Sequence, residues 1–538
     1  MQKILSAEEM REVDRQTTEK YGIPSIILME NAAHAAANVI KEKLGGSVAG
    51  KSFLIICGKG NNGGDGAALA RILWTQGAIT HVYLFGKIEE TKGDARINFD
   101  IIKKITDSAL PNNIGFSLRF DEDSKADYLH HTGIVEDFVI DALFGTGLTR
   151  KLEGEIKELT AHLSKWKEAL VCSKIISIDV PSGLNADLSE QIGENIQADL
   201  TITFTSPKLA NVFPPASNFN GELVVANIGS PQELIDNSPS KTFLAEKEDA
   251  QIWLEKTRVE KDSYKKTRGA CLIVAGSDDF SGAAILAANA CFAAGAGMVS
   301  VAVPQNIKSI VAAKTSDEII VKTLENTNVA DEKVDIIALG CGMQIGRNPH
   351  VSKGEKHSIT PLLTCGFLQE IIENRHAPMV LDAEALNALA EFDLQGSDEF
   401  PLILTPHIGE FKKLLGREIG ENKIEEVRNF AEKHNVILVL KGERSLIAAP
   451  NGTVVINPTG NAGISRAGSG DTLTGIVAAF LAQTFARNEP NLENAFETVV
   501  AALYLAGLAG DIAAEKFSER LMTASDVRHC LQIAIEKI

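Results

Sequence analysis

Two series of short apolar runs, each ended by a glycine-rich or polar turn, constrain the fold of this chain most. Such runs predict buried strands, and strands that alternate with helical segments predict a parallel sheet covered by helices on both faces. In the first half the runs are 52–57, 81–85, 138–143 and 175–180. In the second half they are 270–275, 298–303, 335–339, 379–381, 402–405 and 436–440. We therefore predict an α/β protein made of two three-layer αβα domains.

The composition changes at 229–240, GSPQELIDNSPS, where Pro, Ser and Asn cluster and the apolar periodicity is lost. A chain of 538 residues is also longer than a single core usually supports. We therefore predict one domain over residues 1–232 and a second over 240–538.

Two N-terminal helices and one uncharged stretch can be assigned from local signals. Ser6 and Glu9 form a capping box, Gly22 is a typical helix end, and a second helix is expected at about 24–44. The stretch 282–304 is long enough to cross a bilayer, but it is rich in Ala, Gly, Ser and Asn. A helix that leads into a buried strand is the favoured interpretation.

The charge balance and the cysteines exclude several classes of protein. A net charge of −18 argues against a nucleic-acid or anionic-membrane partner, since both require a basic surface. The seven cysteines are dispersed and odd in number, which argues against a disulfide framework or a zinc site. The first residues lack the apolar segment of a signal peptide. We expect a cytoplasmic homo-oligomer that acts on small molecules and keeps its cysteines reduced.

Three polar turns follow strands in the first half: GKGNNGGDG at 58–66, DALFGTG at 141–147 and DVPSG at 179–183. The first matches a dinucleotide-binding spacing, but the next strand does not end in the acidic residue that such sites require. A simple tight turn with Asp65 near a helix start remains an alternative. Three such turns at one sheet edge favour a ligand site. The oxygens of Asn62, Asp141 and Ser182 suit an alkali or alkaline-earth ion.

These turns, after an LMENA helix at 28–32, resemble the epimerase domain of the NAD(P)H-hydrate repair enzymes over about residues 1–230. The resemblance implies a Rossmann-like domain that interconverts the R and S epimers of hydrated NADH and NADPH. It implies a potassium ion held by Asn62, Asp141 and Ser182. Asp179 is our candidate for acid/base catalysis, from its place at a strand end. The implied substrate-binding residues are Asn61, Asn62, Gly63, Gly64, Asp65, Gly145, Thr146, Gly147, Leu148, Thr149, Arg150, Lys151 and Asp179.

The strongest motif in the second half is GNAG at 460–463 followed by GSGDT at 468–472, before the apolar helix 473–484. A Gly-x-Gly turn at a helix start binds anions through its N–H groups. Asp471 beside it is either a base that deprotonates an attacking hydroxyl or a helix cap. Further polar turns, including TPHIGE at 405–410 and Lys441-Gly442, follow other strands. The P-loop sequence is missing.

The turns TPHIGE, LKG, GNAG and GSGD are similar to those of the nucleotide-dependent NAD(P)H-hydrate dehydratases, which are ribokinase-like, over about 245–538. The resemblance implies phosphorylation of the hydrate's hydroxyl by ADP with magnesium, followed by elimination of phosphate. Asp471 would be the base. Ala284, Gly342 and His407 would contact the hydrate together with Asp471. The nucleotide would contact Lys441, Gly442, Glu443, Arg444, Ser445 and Gly470.

The chain departs from that pattern at several places. Residues 464–468 read ISRAG, Glu443-Arg444 follow Lys441-Gly442, and the polar segment 344–364 is a long predicted surface loop. We hypothesise that Arg444 or Arg466 adds a phosphate contact. The choice between ADP and ATP stays open. Two other functions also remain: a small-molecule kinase in the second half, and a degenerate binding module in the first.

Overall fold

A computed structural model describes residues 1–108, 117–123, 136–168, 172–329, 332–344, 365–389 and 394–538. The chain divides into two compact units. The N-terminal unit is Lys3–Ser240, and the C-terminal unit is Lys241–Ile538 with Met1–Gln2. Apart from Gln344, the predicted surface loop at 344–364 lies outside the described residues.

The described part of the N-terminal unit contains a parallel sheet of seven strands. Counted along the chain, the strands lie in the order 3-2-1-4-5-6-7 across the sheet. The order therefore reverses between the first strand and the fourth, and ligands of such sheets bind in the crevice beyond that point. The strands are Ser52–Cys57, Ile79–Phe85, Leu118–Asp123, Glu136–Ala142, Cys172–Ile178, Leu200–Phe204 and Glu222–Ala226.

Helices cover both faces of this sheet. Alternate side chains of the first strand therefore pack into two different cores. Phe53 and Ile55 belong to one core, and Leu54 and Ile56 to another. The α-helices are Ala7–Tyr21, Ser25–Lys43, Asn61–Thr75, Gly93–Asp107, Gly154–Glu168, Leu209–Val212 and Gln232–Asp236. Short 3-10 turns span Ile88–Glu90 and Ala216–Phe219.

The ends of two helices bear on the sequence-based expectations. The capping box of Ser6 and Glu9 and the left-handed end at Gly22 are both present, as predicted. The helix after the first strand spans Asn61–Thr75, so NNGGDG forms its first turns. Its glycines permit this close approach, since a Cβ on Gly63 would lie 1.8 Å from the backbone oxygen of Gly58.

In the described part of the C-terminal unit, the sheet has eleven strands, of which seven form a parallel core. These seven also lie in the order 3-2-1-4-5-6-7. They are Ala270–Val274, Met298–Val303, Ile320–Thr323, Ile336–Leu339, Met379–Leu381, Leu402–Leu404 and Ile437–Leu440. Beyond the last of them lie Leu446–Ala448 and Val454–Ile456, both antiparallel to their predecessors, then Thr242–Leu244 and the edge strand Gln2–Lys3.

The central helix of this unit, Ser469–Phe485, is buried over most of its length. It packs tightly on Ser281–Ala293, since a Cβ on Gly475 would lie 2.2 Å from the Ala287 carbonyl. The rings of Trp253 and Phe480 stack with centroids 3.9 Å apart. The α-helices are Lys247–Lys256, Ser281–Ala293, Lys308–Ala312, Cys365–Glu373, Glu384–Leu389, Ile408–Leu415, Lys423–His434, Ser469–Phe485, Leu492–Phe517 and Ala524–Glu536. Short 3-10 turns span Lys265–Arg268, Gln305–Ile307, Leu324–Asn326 and Ala462–Ile464.

The apolar stretch 282–304 forms a helix and then a strand, as predicted. Among the described residues one helix, Leu492–Phe517, is long and apolar enough to cross a membrane. Most of its apolar window is buried inside the protein, which is typical of a core helix. The cysteines whose side chains the structure describes are buried and free, as expected; they are Cys57, Cys271, Cys291, Cys341 and Cys530.

Candidate active sites

Asp141 and Ser182 join two of the three predicted turns at the crevice of the N-terminal sheet. Asp141 is fully buried at the end of the fourth strand. The Ser182 hydroxyl donates to its Oδ1 at 2.5 Å, and the Ser182 N–H donates to Oδ2 at 2.8 Å. The Ser177 hydroxyl also donates to Oδ2, at 2.8 Å. Burial raises the pKa of Asp141, and these hydrogen bonds oppose the rise.

Asp179 lies at the end of the neighbouring strand in a left-handed conformation, with φ of 70°. The N–H of Thr146 donates to its Oδ2 at 3.0 Å. Its Oδ1 accepts from the Lys208 ammonium at 2.7 Å and from the Thr203 hydroxyl at 3.2 Å. Lys208 is 1% exposed, so this is a buried ion pair. Lys208 was missed in the sequence, where a single lysine in SPK carries no signal.

Asn62, in the first turn, lies next to Gly145 of the second turn and to Asp179. A Cβ on Gly145 would lie 2.5 Å from Asp179 Oδ2 and 3.2 Å from Asn62 Oδ1. Both amide atoms of Asn62 are buried and have no hydrogen-bond partner among the described residues. A buried amide oxygen without a partner is costly, unless a ligand or cation occupies the space before it. Amide, carboxylate and hydroxyl oxygens, such as those of Asn62, Asp141 and Ser182, are ligands that suit a hard cation such as potassium.

Two further carboxyl groups belong to this cluster. Burial raises the pKa of Asp65 well above its ordinary value, and the charges of Asp179, Asp14 and Asp94 add to the rise. Burial raises the pKa of Asp14 to about 6, with Lys208 opposing and Asp179 adding to the effect. Oδ1 of Asp14 is buried and has no hydrogen-bond partner among the described residues. Asp14 was also missed, because in the sequence it is an ordinary polar position of a helix.

The other predicted substrate-binding residues lie around this cluster. Gly63 and Gly64 are buried in the first turn of the helix Asn61–Thr75, while Asn61 is exposed at its start. After Gly145 the chain continues as a loop in which Leu148 is buried. Lys151 is exposed, with its ammonium 3.7 Å from Glu153. The exposed residues of this loop are Gly147, Thr149, Arg150 and Lys151.

The C-terminal site is built around a second buried ion pair. Asp382 follows the fifth parallel strand and is 3% exposed. Its Oδ1 accepts from the Lys441 ammonium at 2.7 Å, and its Oδ2 accepts from the Thr474 hydroxyl at 2.9 Å. Burial alone would lower the pKa of Lys441, but the charge and hydrogen bond of Asp382 raise it above its ordinary value.

Asp471 lies in the first turn of the helix Ser469–Phe485, beside this pair. The helix cap is Gly468, in a left-handed conformation with φ of 89°, so Asp471 is not the N-cap. Burial raises the pKa of Asp471, and the charge of Asp382 raises it further, while the Cys341 thiol and Lys441 oppose the rise. A Cβ on Gly470 would lie 3.4 Å from the Lys441 ammonium nitrogen, so this nitrogen lies at the Gly-x-Gly turn.

The predicted hydrate contacts lie at two other turns of the same sheet. Ala284 is fully buried, and a Cβ on Gly276 would lie 3.2 Å from its Cβ. The Gly276 N–H donates to the Cys341 carbonyl at 2.8 Å, which joins the turns after the first and fourth strands of the parallel core. Gly342 has φ of 63° and packs against Ala283.

His407 is exposed and begins the helix Ile408–Leu415. Its Nδ1 accepts from the N–H groups of Gly409 and Glu410 at 2.9 and 3.2 Å, so one ring nitrogen acts as a helix cap. The other, Nε2, lies 3.5 Å from Glu410 Oε1. His407 also pairs through its backbone with Lys441.

The predicted nucleotide-binding residues after Lys441 form the turn between two strands. Gly442 and Glu443 are exposed. Ser445 directly precedes the next strand, and its carbonyl accepts from the Asn457 N–H at 2.9 Å. Burial lowers the pKa of Arg444, with the charges of Asp511 and Glu443 opposing. The guanidinium of Arg466 donates to the carbonyls of Leu521 and Met522, at 3.1 and 2.7 Å. A phosphate contact by either arginine stays a prediction.

Among the described residues, no group of three or more His, Cys, Asp or Glu side chains could hold a metal ion. The oxygen set of the N-terminal site is of a different kind, since it includes an amide and a hydroxyl.

In the comparisons with known proteins, two family models match the chain, one over each of the two parts that carry these sites. A family described as "NAD(P)H-hydrate dehydratase" matches residues 271–532, and one described as "YjeF-related protein N-terminus" matches residues 25–210. A bifunctional NAD(P)H-hydrate repair enzyme of Moorella thermoacetica is 36% identical over 554 aligned residues, covering 99% of this chain and 97% of the relative. The chain belongs to the family of bifunctional NAD(P)H-hydrate repair enzymes. A family member from Thermofilum pendens is 31% identical over 100% of this chain and 97% of its own length.

Solved structures with some similarity include an ADP/ATP-dependent NAD(P)H-hydrate dehydratase of Bacillus subtilis, co-crystallised with ATP and Mg²⁺. It is 27% identical, with a TM-score of 0.44, and the match covers 52% of this chain and 93% of that one. A ribokinase-like superfamily protein of Enterococcus faecalis is 23% identical, with a TM-score of 0.46, over 55% and 96% of the two chains.

Membership in the repair-enzyme family confirms the resemblance found in the sequence, for both halves of the chain. The predicted α/β class with parallel sheets is likewise confirmed. The roles of individual site residues stay predictions.

Proposed function

We propose that this repair enzyme restores hydrated NADH and NADPH in two steps. The N-terminal unit interconverts the R and S epimers of the hydrate. The C-terminal unit removes water from the S epimer at the expense of ADP, which yields AMP and phosphate. The observation that carries the proposal is the half-buried Asp471 carboxyl at the start of a buried helix, beside the Lys441 ammonium.

The C-terminal residues support phosphoryl transfer followed by elimination. The first N–H groups of the helix Ser469–Phe485 and the Lys441 ammonium are suited to hold the phosphates of ADP. Asp471 accepts the proton of the hydrate's hydroxyl, whose oxygen then attacks the terminal phosphorus, and AMP leaves. The ring nitrogen's electron pair then expels phosphate with its C–O bond, and the neighbouring carbon loses a proton to form the double bond. Magnesium, when bound with the nucleotide, neutralises phosphate charge.

The N-terminal residues support acid/base catalysis of the inversion at the carbon that bears the hydroxyl. The Asp179 carboxylate is paired with the Lys208 ammonium at 2.7 Å and is placed to accept a proton. Burial raises the pKa of Asp65, which favours its protonated form as a proton donor. A potassium ion held by Asn62, Asp141 and Ser182 would supply positive charge next to the substrate's oxygens.

The central experiment is a repair assay on a mixture of both hydrate epimers with magnesium and either ADP or ATP. We expect NADH absorbance to return in full with ADP, because the epimerase converts the R form into the S form that the dehydratase uses. A stable phosphorylated product without returned absorbance would instead indicate a small-molecule kinase. Repair that stops when only the S epimer has been consumed would indicate a degenerate N-terminal module.

The potassium proposal is tested by measuring epimer interconversion while potassium is replaced by tetramethylammonium at constant ionic strength. We expect the rate to fall, and Asn62→Ala to raise the potassium concentration needed for half-maximal rate. The matched control is Asn31→Ala, since the Asn31 amide bonds the Ile228 carbonyl. A rate that is independent of potassium would refute the proposal.

A further inference from the structure

Asp382 is a buried carboxylate of the C-terminal site to which the proposed chemistry gives no role. Each of its two oxygens has a donor: Lys441 at 2.7 Å and Thr474 at 2.9 Å. Thr474 lies one helical turn after Asp471, so the carboxylate joins the strand that ends at Leu440 to the helix that carries the proposed base.

The backbone around Asp382 is held in a fixed position. A Cβ on Gly340 would lie 1.9 Å from the Asp382 carbonyl, so only glycine fits beside it. The next residue, Ala383, has φ of 48°, a left-handed conformation that is strained for a non-glycine residue. Strained backbone persists where the surroundings fix it, and it often occurs at functional sites.

The ion pair also lies at the mouth of the anion-binding turn. A Cβ on Gly470 would lie 3.4 Å from the Lys441 nitrogen and 3.6 Å from Asp382 Oδ2. The carboxylate therefore determines where the ammonium sits relative to the turn. A lysine has a long and flexible side chain, and without such a partner its nitrogen would sample many positions.

We propose that Asp382 is a positioning residue of the dehydratase reaction, which fixes the Lys441 ammonium at the phosphate-binding turn and places a negative charge beside Asp471. The inference rests on the proposed function of this site and adds a residue to it. In this role Asp382 acts through Lys441 and Asp471.

The charges around Asp471 give this inference a measurable consequence. The groups that face Asp471 are Cys341, Asp382 and Lys441, and Glu410 acts in turn on Lys441. Burial and the charge of Asp382 raise the pKa of Asp471. Removal of that charge lowers the pKa, so Asp471 would stay ionised, and active as a base, at lower pH.

The test compares Asp382→Asn with the unchanged enzyme in the repair assay, at saturating hydrate over a range of pH. We expect KM for ADP to rise about tenfold or more, the effect of one lost charge-assisted hydrogen bond. We also expect the acidic limb of the kcat profile to move about one pH unit lower. The matched control is Asp335→Asn, a half-buried carboxylate that bonds the Ala270 N–H at the opposite end of the sheet. This control should change neither KM for ADP nor the position of the acidic limb.

Two variants keep the inference testable if Asp382→Asn folds poorly. Asp382→Glu retains the charge and should leave the limb near its original pH while it raises KM for ADP. Thr474→Val keeps the charges of Asp382 and Lys441. It too should leave the limb near its original pH while it raises KM for ADP. An unchanged limb in a folded Asp382→Asn, or an unchanged KM in all three variants, overturns the inference. If the unchanged enzyme fails to repair hydrate with ADP or ATP, the proposed function itself fails.

Discussion

The Lys208 ammonium lies 2.7 Å from Asp179 Oδ1, inside the N-terminal unit, where the lysine is 1% exposed. A buried charge that loses its partner is far more costly than a broken surface pair. Lys208→Met should therefore lower the free energy of unfolding by about 3–5 kcal/mol and abolish epimer interconversion.

Thermal unfolding of the full chain measures this effect. The control is Lys43→Met, since Lys43 forms an exposed pair with Glu222 and should contribute nothing measurable. Equal melting temperatures for the two variants would contradict a structural role for the buried pair.

Asp179→Asn should reduce the rate of epimer interconversion by about a hundredfold or more, the usual effect of removing an acid/base group. The amide can still accept the Thr146 N–H, so the turn keeps this contact. The rate is measured by following the two epimers chromatographically. Asp137→Asn serves as the control, because Asp137 bonds the Ser52 N–H at the start of its strand. Full activity in Asp179→Asn would remove Asp179 from the reaction.

Asp14 should make the stability of the protein depend on pH. Its pKa rises from 3.8 to about 6 in the folded chain, so the unfolded chain releases the proton at lower pH. The folded state therefore loses stability as the pH rises from about 4 through about 6. A difference of two pH units corresponds to about 3 kcal/mol. Asp14→Asn should raise the melting temperature near neutral pH and have little effect near pH ~4. A difference that is the same at both pH values would contradict this origin.

Gly470→Ala should weaken ADP binding without unfolding the protein. The added Cβ would lie 3.4 Å from the Lys441 nitrogen, an ordinary contact, but it would project into the phosphate-binding turn. We expect KM for ADP to rise about tenfold, with a melting temperature close to that of the unchanged enzyme. Titration of the repair rate with ADP measures the change, and an unchanged KM would place the nucleotide elsewhere.

All the strands predicted from the sequence lie in the interior of the two sheets, and none of them is an edge strand. Ser52–Cys57, Met298–Val303 and Met379–Leu381 have the predicted bounds, because buried parallel strands are uniformly apolar. The strand Leu118–Asp123 was missed because its sequence, LRFDED, is mostly charged. It lies at the edge of its sheet, where one side faces solvent.

The turns of the candidate sites could be found from the sequence, but the ion pairs within them could not. The strand-end motifs of the sequence include Asp179 and Lys441, since carboxyl ends of parallel strands meet at one edge. The pairing of these residues with other charges is a different matter. Lys208 is 29 residues from Asp179, and Asp382 is 59 residues from Lys441. Only the fold brings these charges together. The choice for Asp471 between base and cap also needed the structure, which gives the cap to Gly468.

The left-handed backbone at Asp179 sets stability against activity at that position. Glycine adopts a φ of 70° without strain, whereas aspartate, which has a Cβ, adopts it less readily. Random substitution to glycine would relieve this strain while it removed the carboxylate. A screen for heat-resistant variants of this chain could therefore enrich changes at residue 179 that inactivate the epimerase and leave the dehydratase intact.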